Sequence, residues 1–285
     1  MSDAVIAGLE YTAARCRRNV IRMVAAGGSG HMGGALSCID IVTALYFHGM
    51  KIDPSNPGLY DRDRFILSAG HKCMAQYAVL AERGFFDKDL LDTYGSLNTK
   101  IPGHPDMYKL PGVEANTGAL GHGLSIGLGM ALGLRMDTEK FQGKLPRVFV
   151  IMGDGELAEG SNWEAAAAAA HHKADNMVVF ADCNGLQISG KTIDIMNMEP
   201  VEERFASFGW AVTGIDGNSM KEILDVLEKI PLTPGKPTLI AARTIKAKGL
   251  SFAEGKVNYH YWKPGAEELK QAEIETDKKI VEAKP

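Results

Sequence analysis

Apolar positions along the 285-residue chain fall into two alternating kinds of segment. Five short runs are predicted strands: RFILSAG (64–70), RVFVIMGD (147–154), MVVFADC (177–183), AVTGID (211–216) and TLIAART (238–244). The last four lack the clean alternation of a half-exposed strand, the pattern of strands covered on both faces of a parallel sheet. Between them, apolar residues at three- and four-residue spacing predict helices over 36–47, 70–84, 123–136, 161–174 and 219–230. Residues 1–28 alternate apolar with charged positions, which predicts an amphipathic helix, neither a signal peptide nor a membrane span. Residues 265–285 read as a surface helix or tail. Strands alternating with helices imply an α/β fold with a doubly wound, mainly parallel sheet flanked by helices. No repeat, long linker or charge block divides the chain.

Composition narrows the function classes. With 45% hydrophobic and 23% charged residues, a net charge of −4 and a pI of about 6.1, nothing favours nucleic acid or an anionic membrane as partner. Cys16, Cys38, Cys73 and Cys183 are scattered without a C-x-x-C pair, so reduced core thiols and a cytoplasmic protein are expected, not a disulfide framework or zinc site. The alanine run 165–170 favours helix while burying little area per residue; close backbone approach to a sheet or a partner is one use, and simple low complexity the other.

Two readings compete for the stretch CNGLQISGKT (183–192). Gly185-x-x-x-x-Gly190-Lys191-Thr192 satisfies the P-loop formula. A P-loop needs a helix starting at its Lys-Thr so that backbone N–H groups meet the phosphates. The following TIDIMNMEPVEERF carries β-branched residues and Pro200, and its helical pattern begins only around Val201. ISGKT therefore reads as a polar turn, with Gly190 supplying backbone freedom. The alternative places Asn184 after one strand and Asp154, in MGDGELAEG, after another. An aspartate, an asparagine and a backbone carbonyl at strand ends offer hard oxygens suited to Mg²⁺ shared with a diphosphate, and Gly155 permits close approach of the main chain.

The span GDGELAEGSNWEAAAAAAHHKADNMVVFADCN (153–184) resembles the cofactor motif of thiamine diphosphate enzymes. SGHMGGALSCIDI (29–41), DRDRFILSAGHKCMAQYAVL (61–80), IPGHPDMYKLPGVEANTGALGHGLSIGLGMA (101–131) and KAKGLSFAEGKVNYHYW (246–262) resemble transketolases specifically, in the correct order over nearly the whole chain. The chain looks like the N-terminal subunit of a split transketolase: residues 1–285 would form the diphosphate-binding domain. The pyrimidine-binding domain, its essential glutamate and much of the phosphate-recognising arginine set would lie on a partner.

The resemblance implies roles residue by residue. Asp154 and Asn184 through their side chains, and Leu186 through its carbonyl, would hold Mg²⁺ or another divalent cation such as Ca²⁺ or Mn²⁺. Gly155 and Asn184 would meet the cofactor, and Gly118, Ala119 and Leu120 of TGALG would meet its aminopyrimidine; Ala119 stands where the family often has proline. His71 and His260 are expected near the diphosphate and substrate, His104 near the donor's terminal hydroxyl and His31 near substrate oxygens, with His31, His104 and His260 as the catalytic set. The glycine expected after His260 is absent. Glu159 matches an acidic residue near the family's dimer interface, and His122 stands where many relatives have glutamine. His171 and His172, adjacent on one helix, make a poor metal pair and read as peripheral.

These resemblances imply transfer of a two-carbon ketol unit from a ketose or its phosphate to an aldose or its phosphate, with thiamine diphosphate and Mg²⁺, by a heterotetramer with sites at subunit interfaces. A deoxyxylulose-phosphate synthase-like enzyme and a P-loop nucleotide-binding protein using Gly185–Thr192 are the alternatives.

Overall fold

All five predicted strands form and lie side by side in parallel in the computed structural model, which describes residues 1–141 and 144–285. The strands are β1 (Arg64–Leu67), β2 (Val148–Gly153), β3 (Met177–Cys183), β4 (Leu186–Gln187), β5 (Gly190–Lys191), β6 (Ala211–Asp216) and β7 (Thr238–Arg243). The helices are α1 (Asp3–Gly27), α2 (Met32–Ala44), α3 (Cys73–Arg83), α4 (Gly123–Met136), α5 (Gly160–His171), α6 (Thr192–Ile195), α7 (Val201–Ser207), α8 (Met220–Leu227) and α9 (Ala266–Glu282). The main sheet runs β1-β2-β3-β7-β6, and β4 and β5 form a separate antiparallel hairpin.

Alternate residues of the sheet supply two cores. Phe65, Phe149, Ile151, Val178 and Phe180 face the cluster built with α1, α2, α3 and α8, whereas Ile66, Val150, Met152, Val179 and Ala181 face the one built with α4, α5 and α7. Burial on both faces explains why β2 and β3 read as continuous apolar runs. β6 departs from that expectation: it is the edge strand and mostly half-buried or exposed.

The boundaries differ from the sequence reading where glycine or local chemistry intervenes. Helix α2 begins at Met32, not 36, because Gly33 and Gly34 hide an apolar face that is wholly buried. It ends at Ala44 and gives way to a wider turn over Leu45–Gly49. The predicted 70–84 helix starts with a tighter turn at Gly70–Lys72 before α3. The expectation that no helix starts near Thr192 is wrong by one turn, since α6 occupies Thr192–Ile195. That turn follows the β4–β5 hairpin, whose pairing of Leu186 with Lys191 folds Gly185–Thr192 as a ribbon and not as a phosphate-wrapping loop. Of the alanine run, Ala165, Ala166 and Ala169 are buried, and the Ala166 carbonyl accepts the indole N–H of Trp210 at 2.9 Å. The C-terminal stretch is the helix α9, which lies along α1 with Ala272 and Thr276 buried. Cys16, Cys38, Cys73 and Cys183 are free and buried.

Two tethers bring distant segments to the carboxyl end of the sheet. Gly30 and Trp262 exchange backbone hydrogen bonds at 2.9 and 2.8 Å, and the Ala247 N–H donates to the Gly33 carbonyl at 2.9 Å. Glu268 of α9 accepts from the Tyr259 hydroxyl and the Trp262 indole at 3.0 and 3.1 Å. The 246–262 segment is thereby fixed over the start of α2.

Candidate functional site

Strands β2 and β3 are neighbours in register, Gly153 beside Asp182, so Asp154 and Asn184 emerge together. The Asp154 carboxylate accepts the Gly155 N–H at 2.8 Å with one oxygen and the Gly185 N–H at 2.6 Å with the other. Asn184 turns its amide oxygen to the Leu186 N–H at 3.1 Å and its amide nitrogen to Ser37 Oγ at 3.4 Å. Asp154, Gly155, Asn184 and Leu186 line a cavity of about 300 Å³, to which Gly118 and Leu120 also contribute. Asp154 is buried and, among the described residues, has no cation hydrogen-bonded to it. Burial pushes its carboxyl up to about 6 against the opposing pull of the Lys72 charge.

The histidines gather beside these oxygens. His31 lies 5.2 Å from His71, 5.5 Å from His260 and 6.4 Å from His104, centroid to centroid, and His71 lies 5.5 Å from His260. His31, His71 and His260 line the cavity, whereas His104 is exposed at its edge, its carbonyl held by the Tyr77 hydroxyl at 2.8 Å. Burial, then the Lys72 charge, drives His71 down to about 2. Burial and the Lys246 charge drive His260 down to about 3. His31 is lowered by burial and by His104, and His104 by burial. Near neutral pH the rings are uncharged, each able to offer one N–H and one lone pair.

Charged groups missed by the sequence reading sit beneath this cluster. Lys246 Nζ donates to the Leu186 carbonyl at 3.1 Å and lies 3.0 Å from His260 Nδ1. Donation to Nδ1 leaves the proton of neutral His260 on Nε2. Burial, with the neighbouring Lys72 charge, lowers Lys246 to about 8. Lys72 Nζ is 2.6 Å from Asp182 Oδ2, and both side chains are buried. Burial pulls the Lys72 ammonium down, but Asp182 outweighs it and leaves the group above the ordinary lysine range. Asp182 also accepts from Ser37 at 2.5 Å and from Thr244. Neither lysine stands in a spacing that announces a site, and the ion pair joins residues 110 positions apart.

Glu156, also missed, fastens the TGALG segment to the sheet. Its buried carboxylate accepts the Gly121 N–H at 3.0 Å, the Gly153 N–H at 3.1 Å and the Ser68 hydroxyl. Gly118 has φ +142°, and a Cβ there would come within 2.5 Å of His104 Cδ2. Gly118 and Leu120 therefore line the cavity while Ala119 between them is exposed.

The remaining candidates lie elsewhere. Lys191 is exposed and does not line the cavity. Glu159 is exposed next to Gly121, whose carbonyl accepts from Ser161 at 2.8 Å. His122 is exposed, its Nδ1 3.2 Å from the carbonyls of Ala119 and Leu120. His171 and His172 are exposed at the end of α5. Tyr261, directly after His260, stacks edge-on at 4.8 Å from His31 and shares a 2.8 Å hydrogen bond with Ser29 Oγ. Among the described residues, no helix is long and apolar enough to cross a membrane.

Residues 10–283 match the family described as transketolase, thiamine diphosphate binding domain. The chain is 40% identical over 272 residues to one of the apulose-4-phosphate transketolase subunits of Phocaeicola vulgatus, covering 95% of each. It is 42% identical over 271 residues to the 6-deoxy-6-sulfo-D-fructose transketolase subunit SqwG of a Clostridium species, covering 95% of this chain and 96% of that one. A solved transketolase from Campylobacter jejuni superposes with a TM-score of 0.88 at 31% identity; the match takes in 100% of this chain but 46% of that one.

Proposed function

The chain belongs to the transketolase family, and from that premise we propose that it is the thiamine diphosphate-binding subunit of a two-chain transketolase. The observation that carries this reading is the junction of Asp154, Asn184 and the Leu186 carbonyl at one cavity wall with three uncharged histidines in the same cavity. The chain spans nearly all of the transketolase subunits it matches but under half of single-chain transketolases. A partner supplying the pyrimidine-binding domain and catalytic glutamate completes the site, in a cytoplasmic heterotetramer acting on a ketose donor and an aldose acceptor, either of them phosphorylated or not. The whole of 1–285 serves as the diphosphate-binding domain.

The residues present fit both groups. Asp154 holds a buried carboxylate without a bonded cation among the described residues, and Asn184 and Leu186 add two neutral oxygens, the hard donor set Mg²⁺ prefers. Gly155 and Gly118 leave main chain open to the cofactor, and Leu120 offers an apolar contact. Bound there, thiamine diphosphate supplies an acidic thiazolium carbon and an electron sink for C–C cleavage. His260, with Nδ1 engaged by Lys246, presents Nε2–H as a donor to substrate oxygen. His31 and His71, uncharged in the half-buried cluster, can hydrogen-bond a sugar hydroxyl without repelling a divalent cation. His104, nearer solvent, suits the end of the donor that enters last.

Co-expression with the partner subunit tests the reading. Two-carbon transfer that requires both chains, thiamine diphosphate and Mg²⁺ is expected. Full activity of this chain alone, or saturable Mg²⁺–ATP binding with no response to thiamine diphosphate, would overturn it.

A further inference from the structure

Lys72 is buried to 3% exposure beside Asp182 at 0%, and it also lines the cavity. An ammonium carries three donors. Among the described residues, one of those of Lys72 is used, on Asp182 Oδ2 at 2.6 Å. Asp182 is further satisfied by the hydroxyls of Ser37 and Thr244. Asp182 thus accepts three hydrogen bonds, whereas Lys72 donates one of its three.

The packing makes room for this lysine at some cost. A Cβ on Gly34 would lie 3.1 Å from Lys72 Cγ and 3.2 Å from Cε, and one on Gly153 would lie 3.3 Å from Nζ. Two glycines, one in α2 and one ending β2, therefore leave a channel for the stem. A buried ion pair seldom outperforms an apolar pair of the same volume for folding. A buried ammonium with spare donors, beside a cavity already walled by hard oxygens, has a use in binding an anion.

We propose that Lys72 is a cofactor-binding residue of this chain: its spare N–H groups donate to the diphosphate oxygens of thiamine diphosphate, while Asp182, Ser37 and Thr244 hold the ammonium in place. This rests on the cofactor reading above. Lys246, the other cavity ammonium, already directs two of its three donors to Leu186 and His260, so Lys72 has the more donors to spare.

The test is calorimetric titration with thiamine diphosphate in saturating Mg²⁺. It uses the wild-type chain, Lys72→Met and the double variant Lys72→Met/Asp182→Asn, each alone and in complex with the partner subunit. Lys72→Met removes charge-assisted hydrogen bonds, and an affinity loss of about 10- to 100-fold is expected. The double variant removes both halves of the buried pair, leaves no uncompensated carboxylate, and is expected to fold with affinity still reduced to the same extent. Wild-type affinity in Lys72→Met, or recovery of wild-type affinity in the double variant, overturns the proposal, because Lys72 would then merely neutralise Asp182. Failure of the wild type to bind in either form overturns the cofactor reading itself, and this proposal with it.

Discussion

The Asp154 carboxylate accepts the backbone N–H of Gly185 at 2.6 Å, so the loop carrying Asn184 is fastened to the end of the neighbouring strand. One residue thus shapes the cavity wall and, under the proposed function, would also offer an oxygen to the cation. Asp154→Ala is expected to weaken Mg²⁺-dependent thiamine diphosphate binding by about 100-fold or more, the upper end of what residues supporting a metal ligand cost or beyond. Lys191→Ala, on the exposed end of the hairpin, should leave it within about twofold. Calorimetry on both variants checks this; the reverse pattern would restore the Gly185–Thr192 nucleotide site.

Much of the fold was legible because the signals were local. The apolar run of β3 and the three- and four-residue spacing of α4 match the structure residue for residue. α2 was read short because Gly33 and Gly34 give no periodicity, although both pack against lysine stems. Asp154 and Asn184 could be found because each directly follows a strand. Lys72, Asp182 and Lys246 could not: a lysine reads as a solvated side chain until the sheet brings a carboxylate from 110 residues away. Glu156 was hidden for the same reason, its partners Ser68 and Gly121 lying on other elements.

The histidine cluster makes stability pH-dependent. His71 falls to about 2 and His260 to about 3, from an unfolded value near 6.5. Below 6.5 the unfolded chain gains protons on these rings while the folded chain does not, so stability falls as pH drops from about 6.5 toward 3. Thermal unfolding of wild type and of His71→Asn/His260→Asn between pH 8 and about 5 checks this. The wild type should lose more of its melting temperature than the double variant, and parallel losses would contradict the assignment.

Tyr261 stands edge-on to His31, a cavity-lining residue, with its hydroxyl on Ser29. Tyr261→Phe keeps the ring and removes the hydroxyl. In the two-chain enzyme it should raise KM for a ketose phosphate donor by about 2- to 10-fold, leaving kcat nearly unchanged, as for loss of a contact made equally in ground and transition states. Thiamine diphosphate affinity should not move. A fall in kcat with constant KM would instead place Tyr261 in the chemical step.

Gly118 has φ +142° and no room for a Cβ against His104. Gly118→Ala is both conformationally strained and crowded, and relieving it displaces this cavity-lining loop or the His104 ring. Loss of cofactor affinity with a melting temperature close to wild type is expected, since the strain sits in a surface loop. Unchanged affinity would show that the cofactor does not depend on this backbone path.

Glu156 is the reverse case, in which fold and site should fail together. Its carboxylate is the acceptor for the N–H groups of Gly121 and Gly153 and for Ser68. Glu156→Ala would strand two backbone donors in a buried place, at about 1–3 kcal/mol each. Glu156→Gln retains one acceptor oxygen and should recover part of the loss. Denaturant unfolding should therefore rank wild type above Gln and Gln above Ala, with thiamine diphosphate affinity following the same order because the 117–121 segment is released along with the bond to Gly121. Stability loss without affinity loss would mean that this segment keeps its course without Glu156.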